Sequence, residues 1–195
     1  MILLKYGNTN TFLIPGGGRY LLVDTDWAGT LPAFYRALKQ GGVRIGDIAY
    51  VMATHWHPDH MGLIPELMRQ GIGLLLPDVQ RAYVHGSDGI FARDGIPFEP
   101  VREEAARVIS CGDSRRFLRE ELGIGGEIVS TPCHSPDSVS LILDDGDCLV
   151  GDLEPLPWLE AYEEDEAART RADWELLLSR RPKRILYGHA NMQVL

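Results

Sequence analysis

Cysteine, positive charge and long apolar runs are all scarce in this chain of 195 residues. Its three cysteines, Cys111, Cys133 and Cys148, are an odd number with no CxxC spacing. That favours a reduced, cytoplasmic setting over a disulfide framework. Lysine and arginine number 19 against 28 acidic residues, a net charge of −9. Nucleic acids and anionic membranes need a positive surface, so neither is expected as a partner. A phosphate ester held through metal ions stays compatible with that balance, because the ions' own charge dominates locally. No apolar run is long enough to span a bilayer. The segment Met1 to Gly18, with one lysine, an Asn-Thr-Asn-Thr stretch and a Pro-Gly-Gly-Gly turn, does not read as a signal peptide. The apolar and charged fractions, 45% and 24%, are ordinary for a folded protein. The length fits one domain over 1–195.

What is present is an alternation of short strands and helices. Thr11 to Pro15 and Arg19 to Asp24 flank the glycine turn and read as a hairpin. Thr30 is placed to cap a helix whose Leu31, Phe34 and Leu38 share a face, stopped at Gly41-Gly42. Asp47 to Thr54 reads as a buried strand, followed by a helix carrying Leu63, Leu67 and Met68 and by a strand from Gly73 to Leu76. Between 77 and 126 the pattern is weaker. Pro77 is placed to start a short helix, His85 to Gly89 reads as a loop, and Asp113 is placed to cap a helix with Phe117, Leu118 and Leu122. Glu127 to Thr131 is the next strand. A second hairpin, Val139 to Leu143 and Cys148 to Gly151, precedes a charged helix from about Trp158 to Arg181, broken into two pieces. Arg184 to Tyr187 is the last strand. The two halves share a plan: hairpin, aspartate (Asp24 or Asp152), helix, strand, histidine (His55 or His189). Strand C-terminal ends are where α/β sites are commonly built.

Three of the six histidines fall in the segment Thr54-His55-Trp56-His57-Pro58-Asp59-His60. Few things other than a metal site need that density, and imidazole with carboxylate suits zinc, iron or manganese rather than calcium. His55 and His57, two apart at a strand end, can converge on one ion. Asp59 and His60 are adjacent and can turn toward a second. Further ligand types, His134, Asp152 and His189, stand at other strand ends.

These residues carry a resemblance. Asp24 in Val-Asp-Thr, the His55-x-His57-x-Asp59-His60 cluster, His134 in Thr-Pro-Cys-His, Asp152 in Gly-Asp and His189 in Gly-His resemble the metallo-β-lactamase-fold hydrolases over nearly the whole chain. The resemblance implies an α/β fold, a four-layer αβ/βα sandwich with a dinuclear site at one edge. It implies His55, His57 and His134 on a first metal, Asp59, His60 and His189 on a second, and Asp152 bridging. Two divalent ions are implied, zinc by default, with iron or manganese compatible. The chemistry implied is attack on a small carbonyl ester, thioester or lactone by a hydroxide bridging the metals, with Asp59 orienting it and shuttling its proton. Asp24 is left with two readings, positioning an imidazole or capping a loop.

Departures from subfamily patterns narrow the expectation. The complete ligand set resembles glyoxalase II-type thioesterases, lactonases and phosphodiesterases more than true β-lactamases. The chain ends six residues after His189, without room for the helical domain with which glyoxalase II holds glutathione. Leu153-Glu154-Pro155 follows the bridging aspartate where quorum-quenching lactonases place a tyrosine. A phosphodiesterase on the same site, or a non-catalytic or redox metal-binding member of the fold, are the alternatives. His85 is a candidate substrate contact, as are Trp27 and Trp158 in predicted loops. Trp174 belongs to a core stripe, and Glu160 to Glu166 to a solvated helix face. Cys133 fits as a small buried side chain in its turn. Asp137 has two readings, adjusting the groups behind the ligands or capping the following strand, and capping is the one expected.

Overall fold

The computed structural model describes residues 1–161 and 163–195. Its elements in chain order begin with β1 (Ile2–Leu4), β2 (Thr11–Gly16), β3 (Arg19–Val23), α1 (Leu31–Gln40) and β4 (Ile48–Met52). They continue with α2 (Pro58–Met61), α3 (Ile64–Arg69), β5 (Gly73–Pro77), α4 (Asp88–Arg93), β6 (Arg107–Ile109) and α5 (Ser114–Leu122). The second half holds β7 (Gly126–Ser130), β8 (Val139–Leu143), β9 (Asp147–Gly151), α6 (Glu164–Leu178), β10 (Arg184–Tyr187) and β11 (Gln193–Val194).

The strands form a six-stranded sheet in the order β1-β2-β3-β4-β5-β6 and a five-stranded sheet in the order β11-β10-β9-β8-β7. Side chains alternate between the two faces of a strand, and that period sorts the core into layers. Phe12, Ile14, Leu21, Val23, Met52 and Leu75 of the first sheet face Ile128, Leu141, Leu143, Leu149 and Leu186 of the second, with Phe117, Leu118 and Leu122 of α5 in the same cluster. Their neighbours Leu13, Leu22, Val51, Leu74 and Leu76 point the other way, against Phe34 and Leu38 of α1, Ile64 and Leu67 of α3, and Phe91 of α4. On the far side, Ile142, Cys148, Val150, Ile185 and Tyr187 pack on Leu159 and on Ala167, Trp174 and Leu177 of α6. Two facing sheets with helices outside are the expected four layers.

The repeated plan is present in the strand pairing. β2 and β3 pair antiparallel and β4 lies parallel to β3. Likewise β8 and β9 pair antiparallel and β10 lies parallel to β9. Gly17 and Gly18, at φ of 54° and 83°, make the first hairpin's two-residue turn, which needs positive φ at both positions.

Several local expectations are corrected. Asp47 sits in a 3-10 turn, and the strand starts at Ile48. Pro77 ends β5 and, as expected, also leads into a short helix, a 3-10 helix over Asp78–Tyr83 of which it is the N-cap. The predicted loop at His85 to Gly89 gives way to α4 at Asp88. Thr30 is the N-cap residue of α1, but its side chain makes no capping bond; its hydroxyl donates back to the Trp27 carbonyl at 2.7 Å. Asp113 precedes α5 without a side-chain cap, and Gly123, at φ 66°, ends it in the left-handed conformation. The charged helix is in two pieces, a 3-10 turn over Leu156–Ala161 and α6. Within the 160–166 run, Tyr162 and the Glu166 side chain lie outside the described residues.

Candidate metal centre

Each ligand-type residue follows the end of a strand or starts a short helix. β4 runs out at Met52 and delivers Thr54 and His55, held to the second sheet by the Val139 N–H donating to the Thr54 carbonyl at 2.8 Å. His57 immediately precedes α2, and Pro58 opens the helix, where its missing N–H costs nothing. The His57 carbonyl accepts from the His60 and Met61 N–H groups at 3.0 and 3.2 Å. That tight turn carries Asp59 and His60 toward His189, while the His60 ring stays 4.1 Å, centroid to centroid, from that of His55. Gly188 brings His189 back from β10: a Cβ there would stand 2.5 Å from Asp152 Oδ1 and 2.7 Å from His60 Cε1. Glycine is therefore required by the close packing of the site itself.

The side chains converge as three overlapping groups whose ligand atoms lie within 4.8 Å of one another: His55, His57 and His134; His55, His60 and Asp152; Asp59, His60 and His189. In the first, His57 Nδ1 is 3.0 Å from His55 Nε2 and 3.2 Å from His134 Nε2. In the third, His189 Nε2 is 3.2 Å from His60 Nε2 and 3.1 Å from Asp59 Oδ2. Asp152 lies between them. Its Oδ2 is 3.8 Å from both His55 and His134 Nε2 and 3.5 Å from His189 Nε2, and its Oδ1 is 3.3 Å from His60 Nε2.

This donor set fits metal ions. Two bare imidazole nitrogens repel, and so do two ring N–H groups, so facing nitrogens need a proton or a cation between them. Nitrogens about 2.0–2.1 Å from one tetrahedral ion stand roughly 3.3 Å apart, close to the spacing seen. Asp152 Oδ1 is buried without a hydrogen bond in good geometry, an orphan that a cation satisfies. All the donors are nitrogen and oxygen, which suits zinc, iron or manganese.

Protonation in the metal-free chain follows the surroundings. Burial pushes His55 far down, and the neighbouring imidazoles of His60, His57, His134 and His189 add to the effect, so it is neutral. His134 is also lowered, chiefly by burial. Burial acts to lower His60 as well, but the Asp24 and Asp152 carboxylates outweigh it and raise it to about 10. Burial would raise Asp152, yet the His60 ring 3.3 Å away, then His189 and His134, hold it below the ordinary carboxylate range. A divalent ion would take the place of the His60 proton facing Asp152.

Surrounding groups fix which ring nitrogen is bare. Thr54 Oγ1 is 2.9 Å from Asp24 Oδ2 and 3.2 Å from His55 Nδ1. The hydroxyl has one proton and the carboxylate accepts it, so Thr54 accepts from His55 Nδ1–H and leaves Nε2 free toward the site. Asp24 Oδ2 also lies 3.0 Å from His60 Nδ1, and Asp24 Oδ1 accepts from the Thr54 N–H at 2.6 Å. Asp24 thus fills both of its readings, positioning an imidazole and tying down the loop. Its φ of 59° is unusual for a residue with a Cβ and is held by its N–H bond to the Met52 carbonyl at 2.9 Å.

Asp137 does not cap β8. Its Oδ2 accepts from the Trp56 N–H at 2.7 Å, in the middle of the histidine segment. Sequence reasoning missed Gln80, whose fully buried amide donates to the carbonyls of Ala53, Thr54 and Asp137 at 3.0–3.1 Å and accepts from Trp56 Nε1 at 3.2 Å. Cys133 is half-buried and its thiol is pushed up to about 12, first by burial and then by Asp173. Its N–H donates to Asp173 Oδ2 at 2.9 Å, fastening the His134 turn to α6.

A cavity of about 220 Å³ opens beside the cluster, lined by His134, Asp152, Leu153, Pro155, Trp158 and His189 among others. Trp158, 59% exposed, joins the cavity as expected of a pocket residue. Trp27 does not; it packs edge-on against Phe91, their ring centroids 5.9 Å apart. His85 does not line this cavity either. Its Nδ1 pairs with Asp88 Oδ2 at 2.9 Å, three residues on, because α4 begins where a loop was expected. Trp174 is core, its Nε1 donating to the Glu154 carbonyl at 2.8 Å.

Known proteins match this chain in sequence and in fold. The family model of the metallo-beta-lactamase superfamily matches residues 4–189. The "Beta-lactamase-like protein 2 homolog" of Drosophila melanogaster is 28% identical over 94% of this chain and 59% of its own length. An "Atrochrysone carboxyl ACP thioesterase" of Aspergillus fumigatus is 29% identical over 70% of this chain and 27% of its own length. The chain therefore spans less than two thirds of either relative. Among solved structures, a protein crystallised in a di-iron-bound form superposes with a TM-score of 0.71 at 21% identity, covering 99% of this chain and 93% of that one. With its two facing sheets, outer helices and strand-end histidine and aspartate cluster, the chain belongs to the metallo-beta-lactamase superfamily.

Proposed function

We propose that the chain is a dinuclear metal-dependent hydrolase of small carbonyl esters, thioesters or lactones. The observation that carries this reading is the position of Asp152, 3.8 Å from the His55 and His134 Nε2 atoms on one side and 3.3 and 3.5 Å from the His60 and His189 Nε2 atoms on the other. In this reading His55, His57 and His134 hold one ion, Asp59, His60 and His189 hold the other, and Asp152 serves both. Zinc is the default; the di-iron neighbour keeps iron beside it, with manganese also compatible. Bound there, two divalent ions supply an acidified water and a Lewis acid for a substrate carbonyl.

The chain's own groups do the rest. Asp59 Oδ2, 3.1 Å from His189 Nε2, is the carboxylate placed to orient the nucleophile and hold its proton. Asp24, through Thr54, keeps the bare nitrogen of His55 turned inward. Leu153, Pro155 and Trp158 offer apolar surface to an acyl or leaving group and exclude water from it. Among the described residues neither lysine nor arginine lines that cavity, which favours a carbonyl over a phosphoryl substrate. A thioesterase among the relatives supports the thioester within this class. The reading also takes 1–195 as one domain acting on a small molecule in the cytoplasm, without a nucleic-acid or membrane partner. No helix among the described residues is long and apolar enough to cross a membrane.

Metal analysis joined to a chromogenic panel of ester, thioester, lactone, phosphodiester and β-lactam tests it. Two metal equivalents and chelator-sensitive turnover of a carbonyl substrate are expected. Two bound metals with no turnover of any ester would overturn the hydrolase reading. Phosphodiester turnover well above the carbonyl substrates would replace the substrate class.

A further inference from the structure

The segment Gly7–Asn10 touches the Asp59–His60–His189 group from both sides without contributing a ligand. Thr9 Oγ1 donates to the Asp59 carbonyl at 2.7 Å. The Asn8 carbonyl lies 3.2 Å from His189 Nδ1, where it can only accept, so Nδ1 carries a proton and Nε2 is the nitrogen turned toward Asp59 and Asp152 for a metal to take. Asn10 Nδ2 donates to the carbonyls of Tyr187 and Ala190, both at 2.9 Å, bracketing His189. The Asn10 N–H donates to the Gly188 carbonyl at 2.7 Å. The segment is itself anchored: Asp26 Oδ2 accepts from the Thr9 N–H at 3.2 Å, and a Cβ on Gly7 would stand 1.8 Å from that oxygen.

The chain's two halves supply Asp59 and His189 separately, and this segment joins the stretches of backbone that carry them. No such bond is made from it to His55, His57 or His134 among the described residues. We propose that Thr9 and Asn10 are positioning residues for the Asp59–His60–His189 position alone, so that the segment sets the occupancy of that metal position independently of the other. This rests on the dinuclear reading above. Outer groups that orient ligands typically change metal affinity about 10–100-fold when lost, and the loss here is expected on one equivalent only.

The test titrates the metal-free full chain with Zn(II) against a competing chelator, for wild type, Thr9→Val, Thr9→Ser, Asn10→Ala, His189→Ala and Thr9→Val with His189→Ala. Thr9→Val keeps the side-chain volume and deletes the donor, and circular dichroism of the metal-free variants checks the fold. Expected is one equivalent weakened at least about tenfold in Thr9→Val, the other unchanged, and near wild-type binding in Thr9→Ser. The double variant should bind no more weakly than His189→Ala alone. Thr9→Val binding both equivalents as wild type does, while wild type binds two, overturns the proposal and leaves the dinuclear reading standing. Equal weakening of both equivalents overturns it too, since the segment would then be a general structural support. Fewer than two equivalents in wild type removes the dinuclear reading and the proposal with it. Asn10→Ala is the second probe should Thr9→Val lose its fold, and the same outcomes decide.

Discussion

Asp24 and Asp152 stand at matching points of the two halves, each after the second strand of a hairpin, and they grip opposite edges of one imidazole. Asp24 lies 3.0 Å from His60 Nδ1 and Asp152 lies 3.3 Å from His60 Nε2. The backbone accounts for the difference. In the first half the left-handed residue is Asp24 itself, at φ 59°; in the second it is Gly151, at φ 58°, one position earlier. Asp24 is consequently 1% exposed and turned toward Thr54, while Asp152 faces the open side between the imidazoles. One repeated plan thus supplies a buried positioning carboxylate in one half and a shared ligand candidate in the other.

That contrast can be broken by substitution. Asp152→Ala should weaken metal binding by more than about 100-fold, beyond the 10–100-fold range of outer groups. Chelator competition reads it, and a loss below tenfold would make Asp152 a supporting residue. Asp24→Asn should fall within about 10–100-fold with the number of bound metals unchanged. If Asp24→Asn matches Asp152→Ala, the two aspartates are not doing different jobs.

The same pair sets a pH dependence in the metal-free chain. His60 is raised from 6.5 to about 10 when folded. A raised histidine contributes stability that is fully present below its unfolded value and is lost as pH rises through the folded one. Urea midpoints of chelated protein should therefore fall between about pH 6.5 and 10, and fall less in Asp24→Asn. A flat profile in the wild type would remove the ion-pair account of His60.

Smaller effects belong to the packing around the cluster. Asp137→Ala leaves the buried Trp56 N–H without its acceptor and should cost about 1–3 kcal/mol in denaturant unfolding. Trp158→Ala should raise KM for an apolar ester several-fold while stability stays within about 0.5 kcal/mol, as for an exposed residue. A KM unchanged across acyl chain lengths would separate Trp158 from substrate binding.

The sequence was most legible where chemistry is dense in a short stretch. The His55–His60 segment and the strand-end residues His134, Asp152 and His189 meet in space because strand alternation and turn residues are local signals. Buried hydrogen-bond partners were not legible in the same way. Gln80 reaches the histidine segment from 24 positions away in sequence and nothing in its own neighbourhood marks it, while Asp137, 81 positions away, stood out only as a departure within the His134 motif. Asn8 and Thr9 read only as a polar stretch, although they meet His189 and Asp59 from 181 and 50 positions away. The start of α4 at Asp88 was not legible either, so the pairing of His85 Nδ1 with Asp88 Oδ2 at 2.9 Å was not foreseen. The short strands β1, β6 and β11, of two or three residues each, carry too few positions to display a period.

The central claim is that two metal positions flank Asp152. Anomalous diffraction at the zinc edge, from crystals grown with zinc, tests it most directly. Two peaks are predicted, one against His55, His57 and His134 and one against Asp59, His60 and His189, with Asp152 between them. A single peak, or peaks away from these residues, would contradict the account.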